Sequence, residues 1–299
     1  MKLLSWNVQW CRGVDGRVDP ARIARTVKEM TDADVICFQE VARNFTTLAG
    51  SDGEDQFALL AAAFPDYKAV EGIAVDVPDV RGPTRGTRSQ FGNLLLSRLP
   101  VGQVYRYLLP RAADPVHADM QRIAIEATIE GPRGPVRVTT THLAYYSQSQ
   151  RLQQVAALRE IHSQAHAQAR RPAQADVSRG PFHWIPKPDA AIVVGDFNFT
   201  SDTMEYTQML APFADGTPRL HDAAQALNPR QPHAATVGIH DRAQWPQPFC
   251  CDFAFISADL LGHLVGFEIN AETDASDHQP LLLTLTFPGS SPAPNFGAR

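Results

Sequence analysis

The sequence predicts an α/β sandwich, in which mixed or antiparallel β-sheets carry helices on their outer faces. Eight short apolar runs, rich in Val, Ile, Leu and Phe, are typical of strands that are buried on at least one face. They span residues 2–6, 34–38, 93–97, 122–129, 136–141, 190–194, 253–257 and 280–287. Several runs follow one another across short turns, so their order departs from the regular strand–helix alternation of a doubly wound parallel sheet.

Two helices are predicted from their first residues. Asp19 can cap the first helix, and Pro20 then occupies its first turn, where a missing N–H is tolerated. The residues that follow place three apolar side chains on one face: Ile23, Val27 and Met30. Ser147 and Gln150 have the spacing of a capping box and open a longer helix. Its apolar side chains recur every third or fourth residue, at Leu152, Val155, Leu158, Ile161 and Ala165.

Length and composition indicate one globular domain. A chain of 299 residues can bury about three quarters of its unfolded surface, so it needs neither disulfides nor a structural metal to fold. Hydrophobic residues make up 44% and charged residues 20%, which excludes a disordered or fibrous chain. We expect one domain over residues 1–288 and a flexible tail over residues 289–299. Two stretches rich in Pro, Gln, His and Ala, residues 170–188 and 212–248, are expected to form ordered loops at the rim.

The cysteines, the N-terminus and the net charge predict a soluble, cytoplasmic protein. Four cysteines have neither metal-binding spacing nor the density of a disulfide scaffold. The N-terminus, MKLLSWNVQW, is not typical of a signal peptide, and we expect no membrane span. A net charge of −5 argues against binding long nucleic acid by bulk charge, but it leaves room for a local basic patch.

Polar side chains stand where several of the apolar runs end or begin. They follow the predicted strands at Asn7, Gln39, Glu40, His142, Asp196 and Asn198, and they precede strands at Asp252, Asp277 and His278. In antiparallel neighbours the end of one strand lies beside the start of the next, so these groups can converge on one rim. Each has an alternative as a turn, cap or loop residue. Their joint occurrence at the same topological position favours a functional site.

The acidic residues of this rim predict a bound cation. Carboxylates that approach one another repel and raise one another's pKa, so an electropositive partner is expected. The sequence offers no matching set of lysines near these motifs. Oxygen ligands with positions left for water and phosphate are typical of Mg²⁺ rather than Zn²⁺.

The same residues, in this order, resemble the motifs of the endonuclease/exonuclease/phosphatase superfamily, which includes pancreatic deoxyribonuclease, neutral sphingomyelinase and inositol phosphatases. The motifs are SWN, QEV, THL, GDFN, DF and SDH, which begin at residues 5, 39, 141, 195, 252 and 276. The match extends over almost the whole chain, and two longer stretches look most like the bacterial metal-dependent hydrolases of this group. The resemblance implies a four-layer α-β-β-α sandwich with two mixed, mainly antiparallel sheets and a site at one end.

For the metal, the resemblance implies that Glu40 is the principal Mg²⁺ ligand, with Asn7 and Asp277 near the ion. Mn²⁺ is expected to substitute for Mg²⁺. The residues do not decide between one metal ion and two.

For catalysis, Asp196 and Asn198 resemble the pair that orients the attacking water and holds the phosphoryl oxygen. His278, steadied by Asp252, resembles the catalytic histidine, and the sequence leaves open whether His278 or Asp196 is the general base. His142 stands where the deoxyribonuclease-like and sphingomyelinase-like branches have His and the abasic-site endonuclease branch has Tyr. An abasic-site repair enzyme is therefore disfavoured.

Three functions are compatible with these residues. The first is a Mg²⁺-dependent phosphoesterase that hydrolyses a phosphodiester or phosphomonoester by in-line attack of water. The alternative is an endonuclease or exonuclease acting on DNA or RNA, and the least favoured is a non-catalytic binding module on the same fold. The substrate is expected to be a phosphate ester, nucleic acid included, and no protein partner is implied.

Other polar and aromatic residues allow weaker predictions. Arg81, Arg85 and Arg88 can form a loop that grips the substrate phosphate, although a solvated loop fits equally well. His162 and His166 have metal-capable spacing on a helix but lack the glutamate of a zinc motif, so we expect them at the surface. Three loop aromatics are expected to pack their loops down or to stack on substrate: Trp184, Trp245 and Phe249.

Overall fold

The structure, a computed structural model, describes residues 1–79, 86–171, 185 and 187–287, and within them twelve strands form two six-stranded sheets. The strands of the first sheet are β1 (Lys2–Asn7), β2 (Val35–Arg43), β3 (Lys68–Pro78), β4 (Arg88–Ser97), β11 (Leu264–Ile269) and β12 (Leu281–Leu285). Those of the second are β5 (Val101–Leu108), β6 (Ile123–Gly131), β7 (Gly134–His142), β8 (Ala191–Asp196), β9 (Leu220–Asp222) and β10 (Asp252–Ser257).

Both sheets are mainly antiparallel and have the same plan. Their strand orders are β11-β12-β1-β2-β4-β3 and β5-β6-β7-β8-β10-β9. Only the central pairs β1–β2 and β7–β8 run parallel among these strands. All eight strands predicted from apolar runs are present. The four strands that the sequence did not reveal are β3, β5, β9 and β11, which are the four sheet edges.

Helices cover the outer face of each sheet. Helices α1 (Pro20–Met30) and α2 (Gln56–Ala63) pack on the first sheet, and α3 (Gln148–Ala169) and α4 (Met204–Met209) pack on the second. Helix α5 (Ala223–Leu227) contacts β10 and β11. The two predicted caps are present, since the side chains of Asp19 and Ser147 accept from the backbone N–H groups of Arg22 and Gln150. The four-layer α-β-β-α sandwich is therefore confirmed.

The alternation of side chains along β1 shows how the layers share the core. Leu3 belongs to the apolar cluster between the sheets, whereas Leu4 and Trp6 belong to the cluster under α1 and α2. The space between the sheets becomes polar towards one end. There the buried Gln39 donates to Ser5 Oγ at 3.1 Å and to Thr140 Oγ1 at 2.9 Å, which joins the two sheets. Membrane-spanning candidates are not found among the helices of the described residues.

Two sequence predictions are corrected by the fold. Residues 212–248 are more than a loop, because they contain β9 and α5. His162 and His166 are buried rather than exposed. His162 Nδ1 lies 2.8 Å from an Arg137 guanidinium nitrogen, and His162 Nε2 lies 2.8 Å from the Pro218 carbonyl oxygen. A polar side chain is buried here because the buried Arg137–Glu126 ion pair requires polar neighbours. Most of the predicted loop 170–188 and the predicted tail 289–299 lie outside the described residues.

Candidate active site

The predicted site residues meet at one end of the sandwich. Asn7, His142 and Asp196 end β1, β7 and β8, and Asp252 begins β10. Because β1–β2 and β7–β8 are parallel, the ends of these strands point the same way, and the antiparallel β10 and β12 begin there. A cavity of about 410 Å³ opens at this end. Six of the predicted residues line it: Glu40, His142, Asp196, Asn198, Asp277 and His278.

A backbone irregularity directs Glu40 into the cavity. The register of β2 against β4 shifts between Phe38 and Val41, and Glu40 has a φ of +59°. Such a left-handed conformation costs a non-glycine residue on the order of 1–3 kcal/mol and is concentrated at functional sites. Gly195 serves β8 in another way, since a Cβ there would lie 1.9 Å from the Thr141 carbonyl oxygen. The glycine therefore lets Asp196 stand close beside β7.

Asn7 bridges two of the acidic groups. Its Nδ2 donates to Glu40 Oε1 at 3.2 Å and to Asp196 Oδ2 at 2.9 Å, while its Oδ1 accepts from the backbone N–H of Gln9. The amide oxygen has a second lone pair, so accepting from Gln9 leaves it able to contact a cation. Asn7 positions both carboxylates and stays a candidate neighbour of the predicted metal ion.

His278 faces carboxylates on both sides of its ring. Its Nδ1 lies 2.9 Å from Asp252 Oδ2, and its Nε2 lies 3.7 Å from Asp196 Oδ2. Burial alone would lower the pKa of His278, but the charges of Asp252, Asp196 and Asp277 raise it well above its usual value. The carboxylates on both sides therefore favour the protonated form of the ring, which is a hydrogen-bond donor at both nitrogens.

His142 differs from His278 in that its surroundings favour the neutral ring. Burial, with the nearby Arg122 and His278, lowers the pKa of His142 well below its usual value, so the ring is neutral. Asn198 Nδ2 donates to the Leu143 carbonyl at 3.1 Å, which fixes the orientation of the amide, and lies 3.0 Å from His142 Nε2. His142 Nε2 is therefore an acceptor for the Asn198 amide.

The acids of the cavity are destabilised in their charged form. Burial, reinforced by the charge of Asp277, raises the pKa of Glu40 from 4.5 to about 7. Burial likewise raises the pKa of Asp196 to about 6, although His278 opposes the shift. Two buried carboxylates with raised pKa values indicate a place where a cation or a proton is needed.

The donor set fits a hard divalent cation better than a soft one. Glu40 and Asp277 supply carboxylate oxygens at the cavity, as Mg²⁺ requires. A second candidate group is Asp196, Cys251 and His278, whose donor atoms lie within 4.8 Å of one another. Cys251 Sγ is the soft donor of this group, and it already lies 3.6 Å from Asp252 Oδ2 and 3.9 Å from Thr236 Oγ1.

Arg122 is the functional candidate that sequence reasoning missed. It lines the cavity, is 7% exposed, and its Nε and Nη1 have no hydrogen-bond partner among the described residues. Burial lowers the pKa of Arg122 to about 10, while the charges of Glu40 and Asp196 oppose the shift. Its position in the cavity wall gives the acidic site a positive charge, which suits an anionic ligand.

Three residues surround Asp277, and two of them, Gln9 and Gln244, were not singled out from the sequence. Gln9 Nε2 and Gln244 Nε2 donate to Asp277 Oδ2 at 2.9 and 3.0 Å, and Trp245 Nε1 lies 3.5 Å from the same oxygen. Gln9 has a φ of +45°, and no motif marks it as functional. Trp245 was singled out only as a loop aromatic, and the structure places it in the cavity wall.

Of the arginines predicted to grip the phosphate, Arg88 lies within the described residues and does not line the cavity. Arg88 lies near the tip of the β3–β4 hairpin, where its Nε pairs with Asp76 Oδ1 at 2.5 Å because the strand pairing brings these two side chains together. Arg81, Arg85 and Trp184 lie outside the described residues.

A family profile decides the relationship. The profile of the Endonuclease/Exonuclease/phosphatase family matches residues 4–278. The chain belongs to this family. No curated protein matches the sequence. The matched range contains the six motifs named above, and family members hydrolyse phosphate esters.

Solved structures of the endonuclease/exonuclease/phosphatase family share this fold. A protein of that family from Beutenbergia cavernae is 22% identical, with a TM-score of 0.68 over 97% of this chain and 72% of its own. The mannosyl-6-phosphatase of Bacteroides thetaiotaomicron is 18% identical, with a TM-score of 0.59 over 96% of this chain and 100% of its own. The 3′ phosphatase NExo from Neisseria, bound to a product DNA hairpin, is 17% identical, with a TM-score of 0.59 over 96% and 100%. At these identities the likeness establishes the fold alone.

Proposed function

We propose that this protein is a Mg²⁺-dependent phosphoesterase that hydrolyses a phosphodiester or phosphomonoester by in-line attack of water. One observation supports this more than any other. Raised-pKa carboxylates, a protonated histidine and an unpaired buried arginine line a single cavity. Charge of both signs is needed there, because a phosphate ester is an anion whose reaction spreads negative charge over its oxygens.

Glu40 and Asp277 would hold Mg²⁺, with Asn7 keeping Glu40 in place. When bound, the ion supplies a Lewis acid for the phosphoryl oxygen and for the leaving oxygen. Mn²⁺ fits the same oxygen ligands.

Arg122 lines the cavity and would attract and orient the phosphoryl group by its positive charge. Both N–H groups of Asn198 face acceptors, the Leu143 carbonyl and His142 Nε2, so Asn198 would donate to the phosphoryl oxygen by releasing His142. The Nδ1 side of His278 faces Asp252, which holds the ring in place. The Nε2–H would stabilise the negative charge that develops on the phosphoryl group.

Asp196 is the general base of the proposed reaction. Both ring nitrogens of His278 face carboxylates, so that ring has no lone pair with which to accept a proton. Asp196 is the remaining basic group beside His278, and its pKa of about 6 suits proton transfer near neutral pH. Asp196→Asn, with folding intact, is expected to reduce turnover by orders of magnitude.

A nuclease is the second candidate function. The Neisseria neighbour is bound to product DNA, and Arg122 gives the cavity a local cation despite the net charge of −5. A steep loss of affinity between low and moderate salt would favour nucleic acid. A non-catalytic module would be expected to have lost part of the site, whereas every predicted metal and catalytic residue is retained.

The proposed function extends to the domain and the compartment. The family match over residues 4–278 supports a single catalytic domain over residues 1–288. The four cysteines are free thiols, which supports a reducing, cytoplasmic location.

The test is a panel of phosphodiesters, phosphomonoesters and nucleic acids, assayed with Mg²⁺ and with chelator. Hydrolysis that requires Mg²⁺ and is abolished by Asp196→Asn supports the proposal. Full activity in metal-stripped protein contradicts it.

A further inference from the structure

A second cavity, of about 240 Å³, opens beside the catalytic one. The two share Arg122, Tyr145 and Tyr146, so one wall serves both. The other residues of the second cavity are Ala118, Asp119, Met120, Ala144, Ser147 and Gln150. Its volume is below the roughly 300–1,000 Å³ of pockets that enclose a whole drug-sized ligand. It therefore suits one group of a larger ligand whose phosphate lies next door.

The shared wall is aromatic and unusually exposed. Tyr145 is 42% exposed and Tyr146 is 59% exposed. Their rings meet edge to face at 4.5 Å, and Tyr145 meets Trp245 in the same way at 5.8 Å. Tyrosine rings that stand beside a catalytic cavity and keep exposed surface offer a stacking surface to a planar group.

The charged side chains of the second cavity already have hydrogen-bond partners or face the catalytic cavity. Asp119 accepts from Arg111 at 2.6 Å and from Gln150 at 2.7 Å. Arg122 faces the acids of the catalytic cavity and is suited to the phosphate. The space that remains is lined by aromatic and small apolar groups and takes an uncharged group.

Gln150 is a fixed part of the lining of the second cavity. Its Nε2 donates to the Ala112 carbonyl and to Asp119, so the orientation of its amide is fixed. Its Oε1 is buried, so it offers no acceptor to a ligand at the cavity surface.

We propose that this second cavity is a subsite for a planar ring carried by the phosphate ester, and that the substrate is a nucleotide or an aryl ester rather than a ringless phosphate. The inference rests on the proposed function for the position of the phosphate. A nucleobase and a simple aryl ring both present a planar face that can stack on the exposed tyrosine rings of this wall.

The test is direct binding in the Asp196→Asn background with Mg²⁺, so that turnover does not consume the ligand. The probes for calorimetry are AMP, phenyl phosphate, glycerol 3-phosphate and inorganic phosphate. We expect AMP and phenyl phosphate, which carry a planar ring, to bind more tightly than the two ringless ligands. Adding Tyr146→Ala should weaken the ring-bearing probes at least about fivefold, the lower range for losing one aromatic stacking partner, and leave inorganic phosphate unchanged.

Two variants control the interpretation. Tyr146→Phe keeps the ring and should retain the affinity, whereas Val265→Ala changes an exposed apolar residue on β11 and should change nothing. Ala118→Trp should fill the second cavity and exclude the ring even if Tyr146→Ala misfolds. If phenyl phosphate binds as tightly as AMP, the subsite takes the ring of an aryl ester.

The subsite and the proposed reaction can fail separately. Equal affinities for ringed and ringless probes, or an equal effect of Tyr146→Ala on inorganic phosphate, overturn the subsite. Preferential binding of ringed esters that no wild-type assay hydrolyses leaves the subsite and removes the reaction. Metal-dependent hydrolysis without preference for a ring leaves the reaction and removes the subsite.

Discussion

Asn7 Nδ2 donates to Asp196 Oδ2 at 2.9 Å, and this bond joins the end of β1 in one sheet to the end of β8 in the other. The same nitrogen reaches Glu40. One amide group therefore sets the separation between the residue proposed to hold the cation and the residue proposed to activate water.

Removing this bridge is expected to slow the reaction without abolishing the fold. Asn7→Ala leaves Glu40 and Asp196 without their common donor, and groups that orient ligands in this way are typically worth about 10–100-fold in activity or metal affinity. The measurement is kcat together with the Mg²⁺ concentration for half-maximal rate. Unchanged values for both would show that Asn7 only closes a turn.

Arg122→Met is expected to reduce activity and increase stability. The loss of a donor to transition-state charge typically costs about 10²–10³ in kcat. The loss of a buried unpaired cation removes a burial penalty and should raise Tm by about 2–4 °C for each kcal/mol recovered. Arg219→Met, which removes an exposed arginine, is the matched control. A fall in Tm together with full activity would mean that Arg122 supports the fold alone.

Asp252→Asn is expected to reduce turnover and shift the pH profile. The Asp252 charge raises the pKa of His278, so the variant should lose the protonated ring at lower pH, and the alkaline limb of the rate profile should move towards acid. Misorientation of the ring should reduce kcat by about 10³–10⁴ at the optimum. If the alkaline limb does not move, the titration of His278 is not its cause.

Glu40 should make metal-free protein less stable as the pH rises. Its pKa is 4.5 when exposed and about 7 in the fold, so the stability that neutral Glu40 contributes is complete below pH 4.5 and lost as the pH passes 7. This pKa shift corresponds to at most roughly 3 kcal/mol in the free energy of unfolding. Glu40→Gln should therefore raise Tm at pH 8 in chelator and have little effect near pH 4.5. An equal gain in Tm at both pH values would contradict the raised pKa of Glu40.

The sequence revealed the centre of the fold and most of the site for the same reason. Buried strands are continuous apolar runs, and the polar residue that ends each run, as His142 ends β7, stands out against them. The edge strands have one side open, so β5 and β11 mix exposed and half-buried positions and lack that signal. Arg122 stands just before an apolar strand and belongs to no motif. Gln9 and Gln244 reach Asp277 from loops whose conformation no local pattern predicts.

The central claim is that Glu40 holds a divalent cation in the cavity that binds the phosphate ester. Mn²⁺ binding, followed by electron paramagnetic resonance, tests it most directly in wild type, Glu40→Gln and Cys251→Ala. We expect wild type and Cys251→Ala to bind Mn²⁺ alike and Glu40→Gln to lose that binding. Retention in Glu40→Gln with loss in Cys251→Ala would place the ion on the Asp196, Cys251 and His278 group and contradict the account.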